Sequence, residues 1–220
     1  MPVRSEDAAV GGWERFDRDA RRYEDWYTTP RGQRADRAER ALLDTCSPHL
    51  RGRAARSRSA AAPRTSRALS SRLPHVLGID GAAAILTEAR RRHPSLPLVQ
   101  GDAHRLPIRD RAVDLGVFIA TLEFVDRPAV AMTEAIRIAR RGVLVIALNR
   151  WSLGGLSRRC GADTRRRLLG HARDFSPPSL RALAFASAGP RLGHLRGRAP
   201  CFPDTGSPPQ IASCSATSSE

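Results

Sequence analysis

Residues 98–128, "LVQGDAHRLPIRDRAVDLGVFIATLEFVDRP", decide the fold class of this chain. They hold most of a short strand candidate at residues 96–103 and all of a longer apolar one at residues 113–125. A continuous apolar strand of this kind is typical of a parallel sheet that is covered on both faces. A helical pattern follows over residues 126–141, with Pro128 suited to its first turn.

Strand and helix patterns alternate on both sides of this stretch. Residues 75–80, "HVLGID", predict a strand, residues 82–93 predict a helix, and residues 142–149, "GVLVIALN", predict a further buried strand. Residues 176–189 begin with a capping serine and prolines and end with a glycine, so they predict another helix. This order predicts an α/β fold with a Rossmann-like, mostly parallel sheet and helices on both faces.

The two ends of the chain differ from this regular middle. Residues 13–46 predict two helices that are broken at "TTPRG", residues 28–32, where proline and glycine interrupt the pattern. Residues 200–220 are rich in proline and serine and have little apolar pattern, which predicts a disordered tail.

The composition is strongly basic, with a formal net charge of +15 on 220 residues. Such a charge invites a nucleic-acid-binding interpretation. All 37 basic residues are arginines, however, whereas selection for phosphate binding normally uses lysine as well. A lysine-free composition rich in alanine, glycine and proline indicates a GC-rich gene, so the charge is weak support for a nucleic-acid partner.

The cysteines and the N-terminus bear on the cellular location. The chain has no CxxC or Cys/His pattern, so neither a disulfide framework nor a metal site is expected. The four widely spaced cysteines are Cys46, Cys160, Cys201 and Cys214. The charged N-terminus lacks the apolar core of a signal peptide, and no apolar run approaches the length of a membrane span. We therefore expect a cytoplasmic protein with no membrane contact.

Polar residues stand where three of the predicted strands end. Ligands of an open parallel sheet bind outside the carboxyl ends of its strands. Asp80 closes the first of these strands, where a carboxylate is placed to accept both hydroxyls of a ribose. Asp102 and Ala103 follow the next strand, placed to bond an adenine amino group and a ring nitrogen. Residues 121–124 close the longest strand, where a reactive centre would lie.

With these residues, the chain resembles the class I S-adenosylmethionine-dependent methyltransferases, and among them the UbiE-like, type 11 domains that act on small molecules. The resemblance is carried by "VLGID", by the stretch at residues 98–128 and by "EAIRIARRGVLVIALNRWSLGG", in that order. It covers about residues 16–155 and rests on the ordered set, because "GDA" alone is a weak motif.

The resemblance implies S-adenosylmethionine as the cofactor. The residues that it assigns to the cofactor are Asp80, Gly81, Asp102, Ala103, Thr121, Leu122, Tyr23 and Trp26. Asp80 would bind the ribose, and Asp102 with Ala103 would bind the adenine. Residues 121–123 would lie near the transferable methyl group, with Glu123 as a weak candidate for catalysis. The two aromatic residues would belong to an N-terminal helix that closes over the cofactor.

Each assignment has a plainer alternative. The alternative for Asp80 is an acid favoured by the dipole at the start of the next helix. Asp102 fits a turn cap, since Gly-Asp is a turn dipeptide. Glu123 fits a structural ion-pair partner, and the aromatic residues of the first helix fit a core. The histidines interpreted as surface or packing residues rather than as bases are His104, His171 and His194.

One segment departs from the family. The family's first strand leads into a glycine-rich turn, hydrophobic-Asp/Glu-hydrophobic-Gly-Cys-Gly-Thr-Gly, whose glycines let the backbone approach the methionine part of the cofactor. That strand and turn should lie between Leu43 and Pro74. Residues 51–72, "RGRAARSRSAAAPRTSRALSSR", instead hold seven arginines and no acidic residue. The sequence therefore predicts that the first strand and the glycine-rich turn are disrupted, and that cofactor binding is weak or absent.

A shifted reading frame is our hypothesis for this segment. Alanine codons supply GC, which a shifted frame completes to glycine, cysteine, serine or arginine, whereas TCN serine codons complete to valine, leucine, isoleucine or phenylalanine. Residues 55–65, with the free bases chosen to match, can give Ala-Leu-Glu-Val-Gly-Cys-Gly-Thr-Ala. The shift would begin after about Leu43 and end by about His75. A genuine basic arm is the alternative.

These observations divide the chain into four parts. Residues 1–46 are N-terminal helices that close over the cofactor site, residues 47–74 are the aberrant segment, residues 75–199 are the remaining methyltransferase-like domain, and residues 200–220 are the tail. The expected function is S-adenosylmethionine-dependent methylation of a small molecule, impaired in this chain. The alternatives are a non-enzymatic basic protein that binds nucleic acid through residues 51–72, and a degenerate methyltransferase domain.

Overall fold

The structure is a computed structural model, and it describes residues 14–51, 58–61, 69, 75–150, 172–188, 194–198 and 211–217. The helices are α1 (Glu14–Trp26), α2 (Pro30–Arg51), α3 (Ala83–Arg92), α4 (Pro128–Ile138) and α5 (Pro177–Ala188). The strands are β1 (Arg58–Ala61), β2 (His75–Asp80), β3 (Leu98–Gln100), β4 (Val113–Ile119), β5 (Ala139–Leu148), β6 (His194–Arg198) and β7 (Ile211–Thr217).

The strands form one sheet in the order β3-β2-β1-β4-β5-β7-β6. Neighbouring strands from β3 to β5 run parallel, whereas β7 runs antiparallel to both β5 and β6. The predicted α/β fold with a mostly parallel sheet is confirmed. The chain moves outward from β1 through β2 to β3 and then returns to β4, so the strand order reverses between β1 and β4. A reversal of this kind opens a crevice at the carboxyl ends of the strands.

The centre of the sheet contains part of the segment that was predicted to be disrupted. β1 pairs with β2 on one side and with β4 on the other, with Ala60 between Leu77 and Gly116. A strand of four residues therefore forms at this place, because a ladder needs only backbone N–H and C=O groups, which any residue but proline supplies. The predicted loss of the glycine-rich turn falls on residues 62–74, which lie outside the described residues except for Leu69.

The two faces of the sheet are both covered, as the continuous apolar strands predicted. Val143 and Val145 of β5 pack in a cluster with residues of α4 and α5. Leu144 and Ile146 of the same strand pack in a second cluster with Leu42 of α2. Successive residues of a strand point to opposite faces, so a strand between two covered faces is apolar at every position.

β4 ends earlier than the apolar pattern predicted. The pattern continues to Val125, whereas the strand ends at Ile119 and residues 122–124 form a turn. Leu122 is fully buried within that turn. The apolar pattern therefore predicted the burial of Leu122 correctly, but it wrongly predicted that the strand continues to that residue.

Residues 211–217, which were predicted to belong to a disordered tail, form β7. This strand pairs with β5 from Ile211 opposite Leu148 to Thr217 opposite Gly142. Composition predicted disorder, but β7 gives hydrogen-bond partners to the outer edge of β5, which would otherwise be left open. Residues 200–210 and 218–220 lie outside the described residues. No helix in the described part of the chain has the length and apolar character needed to cross a membrane.

α1 and α2 are separated by a short turn at residues 27–29, which overlaps the start of the predicted break at residues 28–32, whereas Pro30 and Gly32 belong to the first turn of α2. The N–H groups of Thr28 and Thr29 donate to the carbonyl oxygens of Asp25 and Trp26. Gly32 is buried in the first turn of α2, where a Cβ atom would lie 2.1 Å from the carbonyl oxygen of Trp26. The close approach of two backbone segments therefore requires a glycine here.

Replacing Gly32 with alanine is expected to lower the free energy of unfolding by about 2 kcal/mol, because the new methyl group meets backbone that must shift. Urea unfolding followed by circular dichroism measures this. Arg37→Ala, at an exposed position of the same helix, is the matched control and should change the free energy by less than about 0.5 kcal/mol. Equal stabilities for G32A and the wild type would show that the turn does not need glycine.

Candidate active site

A cavity of about 160 Å³ lies at the carboxyl ends of β2, β3 and β4. This is the end of the sheet at which the reversal of strand order between β1 and β4 opens a crevice. Ligands of parallel sheets bind in such crevices. The N-terminal helices also reach it, since α1 contributes Phe16 and Tyr23 to its lining and α2 contributes Glu39. The cavity is therefore bounded by the sheet edge and by the helices that precede the sheet in the sequence.

Most of the predicted site residues meet around this cavity. Those that line it are Asp80, Gly81, Asp102, Ala103, Thr121 and Tyr23. Three other predicted residues, Trp26, Leu122 and Glu123, are not part of the lining. The ends of three strands thus converge as the sequence predicted. The predicted residues that do not line the cavity are one residue of α1 and two residues of the turn after β4.

Asp80 is the last residue of β2, and its carboxylate is held against the start of α3. Its Oδ1 accepts a hydrogen bond from the N–H of Ala82 at 2.9 Å. Burial raises the pKa of Asp80 to about 6, and the nearby Asp17 carboxylate adds to the rise, whereas the N–H groups of Ala82 and Gly81 oppose it. The alternative of an acid at the start of a helix is thus met, and the same residue also lines the cavity.

Asp102 lies in a tight turn directly after β3. The N–H of Arg105 donates to the Asp102 carbonyl oxygen at 3.0 Å, and the N–H of His104 donates to its Oδ1 at 2.8 Å. The side chain of Asp102 is half-exposed and lines the cavity. Gly101 precedes it, and a Cβ there would lie 2.7 Å from Cδ of Pro107. The Gly-Asp pair therefore builds the turn, and it also brings a carboxylate to the cavity.

The loop after this turn is held by an ion pair on α4. Arg137 donates to the carbonyl oxygens of Leu106 and Ile108 and forms ion pairs with Asp110 and Glu134. Glu134 in turn accepts a hydrogen bond from the N–H of Leu106 at 2.9 Å. The hydrogen bond from Arg137 is the main cause that holds the pKa of Glu134 below its ordinary value. This pair fixes the loop that continues the cavity wall beyond Asp102.

The turn after β4 explains why Leu122 and Glu123 lie away from the cavity. Ala120 has a positive φ of 46°, and its N–H donates to the carbonyl oxygen of Ile146 at 2.8 Å. The chain therefore turns sharply after the strand, so Thr121 lines the cavity while the next two side chains are buried. The Oε1 atom of Glu123 accepts a hydrogen bond from the N–H of Leu148. Its carboxylate joins this turn to the end of β5.

Aromatic side chains form one wall of the cavity. The ring of Phe16 meets the rings of Tyr23 and Phe124 edge to face, at centroid distances of 5.6 and 5.1 Å. Trp26 packs instead against Tyr27, at a centroid distance of 4.7 Å. The resemblance assigned both Tyr23 and Trp26 to the cofactor, but only Tyr23 lines the cavity.

Several lining residues were not assigned to the site from the sequence. They include Phe16, Tyr27, Glu39, Gly101, His104, Ala120 and Asp126. Gly101 and His104 flank the Asp102 and Ala103 pair, so their position after a strand was a usable signal. Glu39 had no such signal, because it lies on a helix that is distant in sequence from the sheet.

Comparisons with known proteins agree with this architecture. Residues 61–147 match the model of a family described as a methyltransferase domain. The fold is similar to that of a solved S-adenosylmethionine-dependent methyltransferase from Thermotoga maritima, named a possible histamine N-methyltransferase. The TM-score is 0.73 and the identity 20%, over 94% of this chain and 100% of that one. The fold is also similar to that of magnesium protoporphyrin IX methyltransferase from Synechocystis PCC 6803, solved with bound S-adenosylhomocysteine. Here the TM-score is 0.65 and the identity 12%, over 94% of this chain and 98% of that one.

One curated relative is similar over a shorter span. It is named "Uncharacterized 37.1 kDa protein in transposon TN4556", from Streptomyces fradiae, and it is 40% identical over 70 residues. The match covers 30% of this chain and 20% of the length of that relative.

Asp80→Asn is expected to be more stable than the wild type at about pH 7.5. The folded-state pKa of about 6 lies above the ordinary 3.8, so the folded chain holds a proton between these values that the unfolded chain has lost. The wild type therefore loses stability as the pH rises through this window, whereas the variant has no charge to desolvate and keeps an oxygen for the Ala82 N–H. Urea unfolding at a series of pH values measures the difference, which should vanish below about pH 4. A wild type that matches the variant at every pH would contradict the burial of this charge.

Glu134→Gln is expected to have the opposite pH dependence. The folded-state pKa of Glu134 lies below its ordinary 4.5, so the pair with Arg137 stabilises the fold fully above that value and less as the pH falls through the folded-state pKa. The variant should therefore lose about 1 kcal/mol at neutral pH and less near pH 3. Parallel unfolding curves at the two pH values give this difference. A loss that does not depend on pH would show that packing, rather than the ion pair, holds the loop.

Proposed function

We propose that the chain binds S-adenosylmethionine and transfers its methyl group to a small molecule, and the match of residues 61–147 to a family described as a methyltransferase domain supports this. The observation that carries the proposal is the pair of carboxylates at the ends of two neighbouring strands. Asp80 ends β2, Asp102 follows β3, and both line the same cavity.

The lining has the donors, acceptors and apolar surface that an adenosine group needs. A ribose presents two hydroxyl donors, which suit the carboxylate of Asp80. An adenine presents an amino donor, which suits the carboxylate of Asp102. Ile79 and Leu106 also line the cavity and offer apolar contact for a flat ring. These residues support a nucleoside-bearing cofactor in the cavity.

When bound, S-adenosylmethionine would supply an activated methyl group on a positively charged sulfur. The contribution of this chain would be to align the acceptor and to exclude water. Phe16, Tyr23 and Phe124 support this role because they form an apolar wall at the carboxyl end of β4. Glu123 is buried and bonded to Leu148, which supports a structural role and not the role of a base.

The proposed acceptor is a small molecule. This suits a cavity whose walls are formed by the sheet edge and by two N-terminal helices. Phe16, Tyr23 and Glu39 of these helices would share its walls with the cofactor residues. A cytoplasmic location stays a prediction, and the widely spaced cysteines are what supports it.

Cofactor binding is proposed to be impaired in this chain, because no glycine occurs in the sequence between Gly52 and Gly78. A turn that cradles a ligand with its backbone needs glycine at positions where a Cβ would collide or where φ is positive. The β1 ladder does not share this requirement, since backbone groups alone form it.

Calorimetric titration with S-adenosylmethionine tests both parts of the proposal. In one variant, residues 56–64 are replaced by Ala-Leu-Glu-Val-Gly-Cys-Gly-Thr-Ala, the peptide of the shifted frame. We expect this variant to bind at least about tenfold more tightly than the unaltered chain, a difference of about 1.4 kcal/mol. The matched control carries the same peptide with both glycines changed to alanine, and it should bind as weakly as the unaltered chain.

The outcomes separate the two parts. Tight, stoichiometric binding by the unaltered chain, equal to that of the glycine variant, would contradict the impairment but not the cofactor. Absence of binding by every variant, with circular dichroism showing folded protein, would contradict the cofactor itself.

A further inference from the structure

We propose that His104 is a positioning residue that orients the Asp102 carboxylate and thereby makes the cavity selective for a base that carries an amino group. This inference rests on the proposed function, because Asp102 would meet the base of the cofactor. His104 lines the cavity, and only 12% of its side chain is exposed. Its sequence position, two residues after Asp102, lets both its backbone and its ring reach the same carboxylate.

Both contacts end on one oxygen of Asp102. The backbone N–H of His104 donates to Oδ1 at 2.8 Å, and the ring Nδ1 lies 2.7 Å from the same atom. A carboxylate that accepts two hydrogen bonds on one oxygen has a fixed orientation about its side-chain torsions. The hydrogen bonds in the described residues leave the second oxygen, Oδ2, for a ligand.

The other ring nitrogen of His104 decides where the proton lies. Nε2 accepts a hydrogen bond from the backbone N–H of Arg127 at 3.2 Å. A nitrogen that accepts carries no proton, so the neutral ring carries its proton on Nδ1 and donates it to Asp102. The hydrogen bonds thus select one of the two neutral tautomers.

This arrangement makes His104 a link between two parts of the cavity wall. Arg127 immediately precedes α4, and the adjacent Val125 and Asp126 line the cavity. The loop after β3 and the start of α4 are therefore tied together through one imidazole. Both ring nitrogens are engaged, which assigns the side chain to positioning and not to proton transfer.

The fixed carboxylate explains the selectivity. A carboxylate oxygen only accepts hydrogen bonds, so it attracts an amino group and repels an oxo group at the same position of a purine. A carboxylate that rotates freely would turn away from an oxo group and lose much of this discrimination. His104 therefore acts on the difference between two bases more than on affinity as such.

The first test reads the tautomer in the ligand-free full chain. Nitrogen-15 correlation spectra of the histidine rings, with His104 assigned from the spectrum of His104→Ala, should show a proton on Nδ1 and none on Nε2. A proton on Nε2, or averaging between the two forms, would overturn the inference without touching the proposed function.

The second test compares two probes, S-adenosylhomocysteine and S-inosylhomocysteine, which differ at C6 by an amino group against an oxo group and at N1 by an acceptor nitrogen against an N–H group. Because the unaltered chain is expected to bind weakly, calorimetry uses the variant that carries the glycine-containing peptide at residues 56–64. This variant should show at least about tenfold tighter binding of the adenosyl probe, equivalent to about 1.4 kcal/mol. Adding His104→Ala to this variant should lower the ratio to about twofold, a fivefold change that corresponds to about 1 kcal/mol, within the range for one hydrogen bond. A residue with a merely structural role would weaken both probes equally and leave the ratio unchanged.

Two further variants separate the two ends of the imidazole. His104→Asn places an amide N–H near the position of Nδ1 and should recover most of the ratio. His104→Gln places its amide near the position of Nε2, keeps an acceptor for Arg127, and should stay near the alanine value. Recovery by glutamine and not by asparagine would overturn the assignment of the donor to Asp102. Equal binding of both probes by the glycine-containing variant would overturn the inference alone, whereas binding of neither probe by that variant would overturn it together with the proposed function.

Discussion

The backbone ladder of β1 is the interaction on which the rest of the structure depends. It joins the outer pair of strands, β2 and β3, to the pair formed by β4 and β5, through Ala60 between Leu77 and Gly116. Without this ladder nothing would join β2 to β4, and the strand order would not reverse between β1 and β4. The cavity lies beside that reversal, so the same four residues that complete the sheet also determine where a ligand can bind.

Charged groups near the cavity have opposite effects on the stability of the fold. Burial raises the pKa of Asp80 to about 6, so a charged carboxylate at this position opposes folding near neutral pH. Nearby, the pair of Glu134 and Arg137 works in the other direction, because it holds the loop after β3 through Leu106 and Ile108. A candidate binding residue whose charge weakens the fold, near an ion pair that strengthens it, is the pattern expected when a site must keep a buried charge.

The sequence predicts those features that local chemistry determines. Strand β2 has the predicted bounds, 75–80, and Asp80 and Asp102 were found because strand ends meet at one edge of a parallel sheet. Features that depend on tertiary contacts were missed. Leu122 is buried in a turn, and the hydrophobic periodicity that identifies strands and helices does not identify turns. Glu39 lines the cavity only because α2 packs there. The polar composition of residues 211–217 likewise hid a strand, because β5 supplies the missing hydrogen-bond partners.

Fold and ligand binding make different demands on the arginine-rich segment, residues 51–72. A central strand needs backbone N–H and C=O groups in an extended conformation, and Arg-Ser-Ala-Ala meets that need over residues 58–61. A turn that holds a ligand by its backbone needs residues without a Cβ, and the segment has none after Gly52. A shift of the reading frame here would therefore replace the residues of the turn while leaving a strand in place. Because pairing tolerates almost any sequence and close approach does not, ligand affinity is expected to be lost before the fold is.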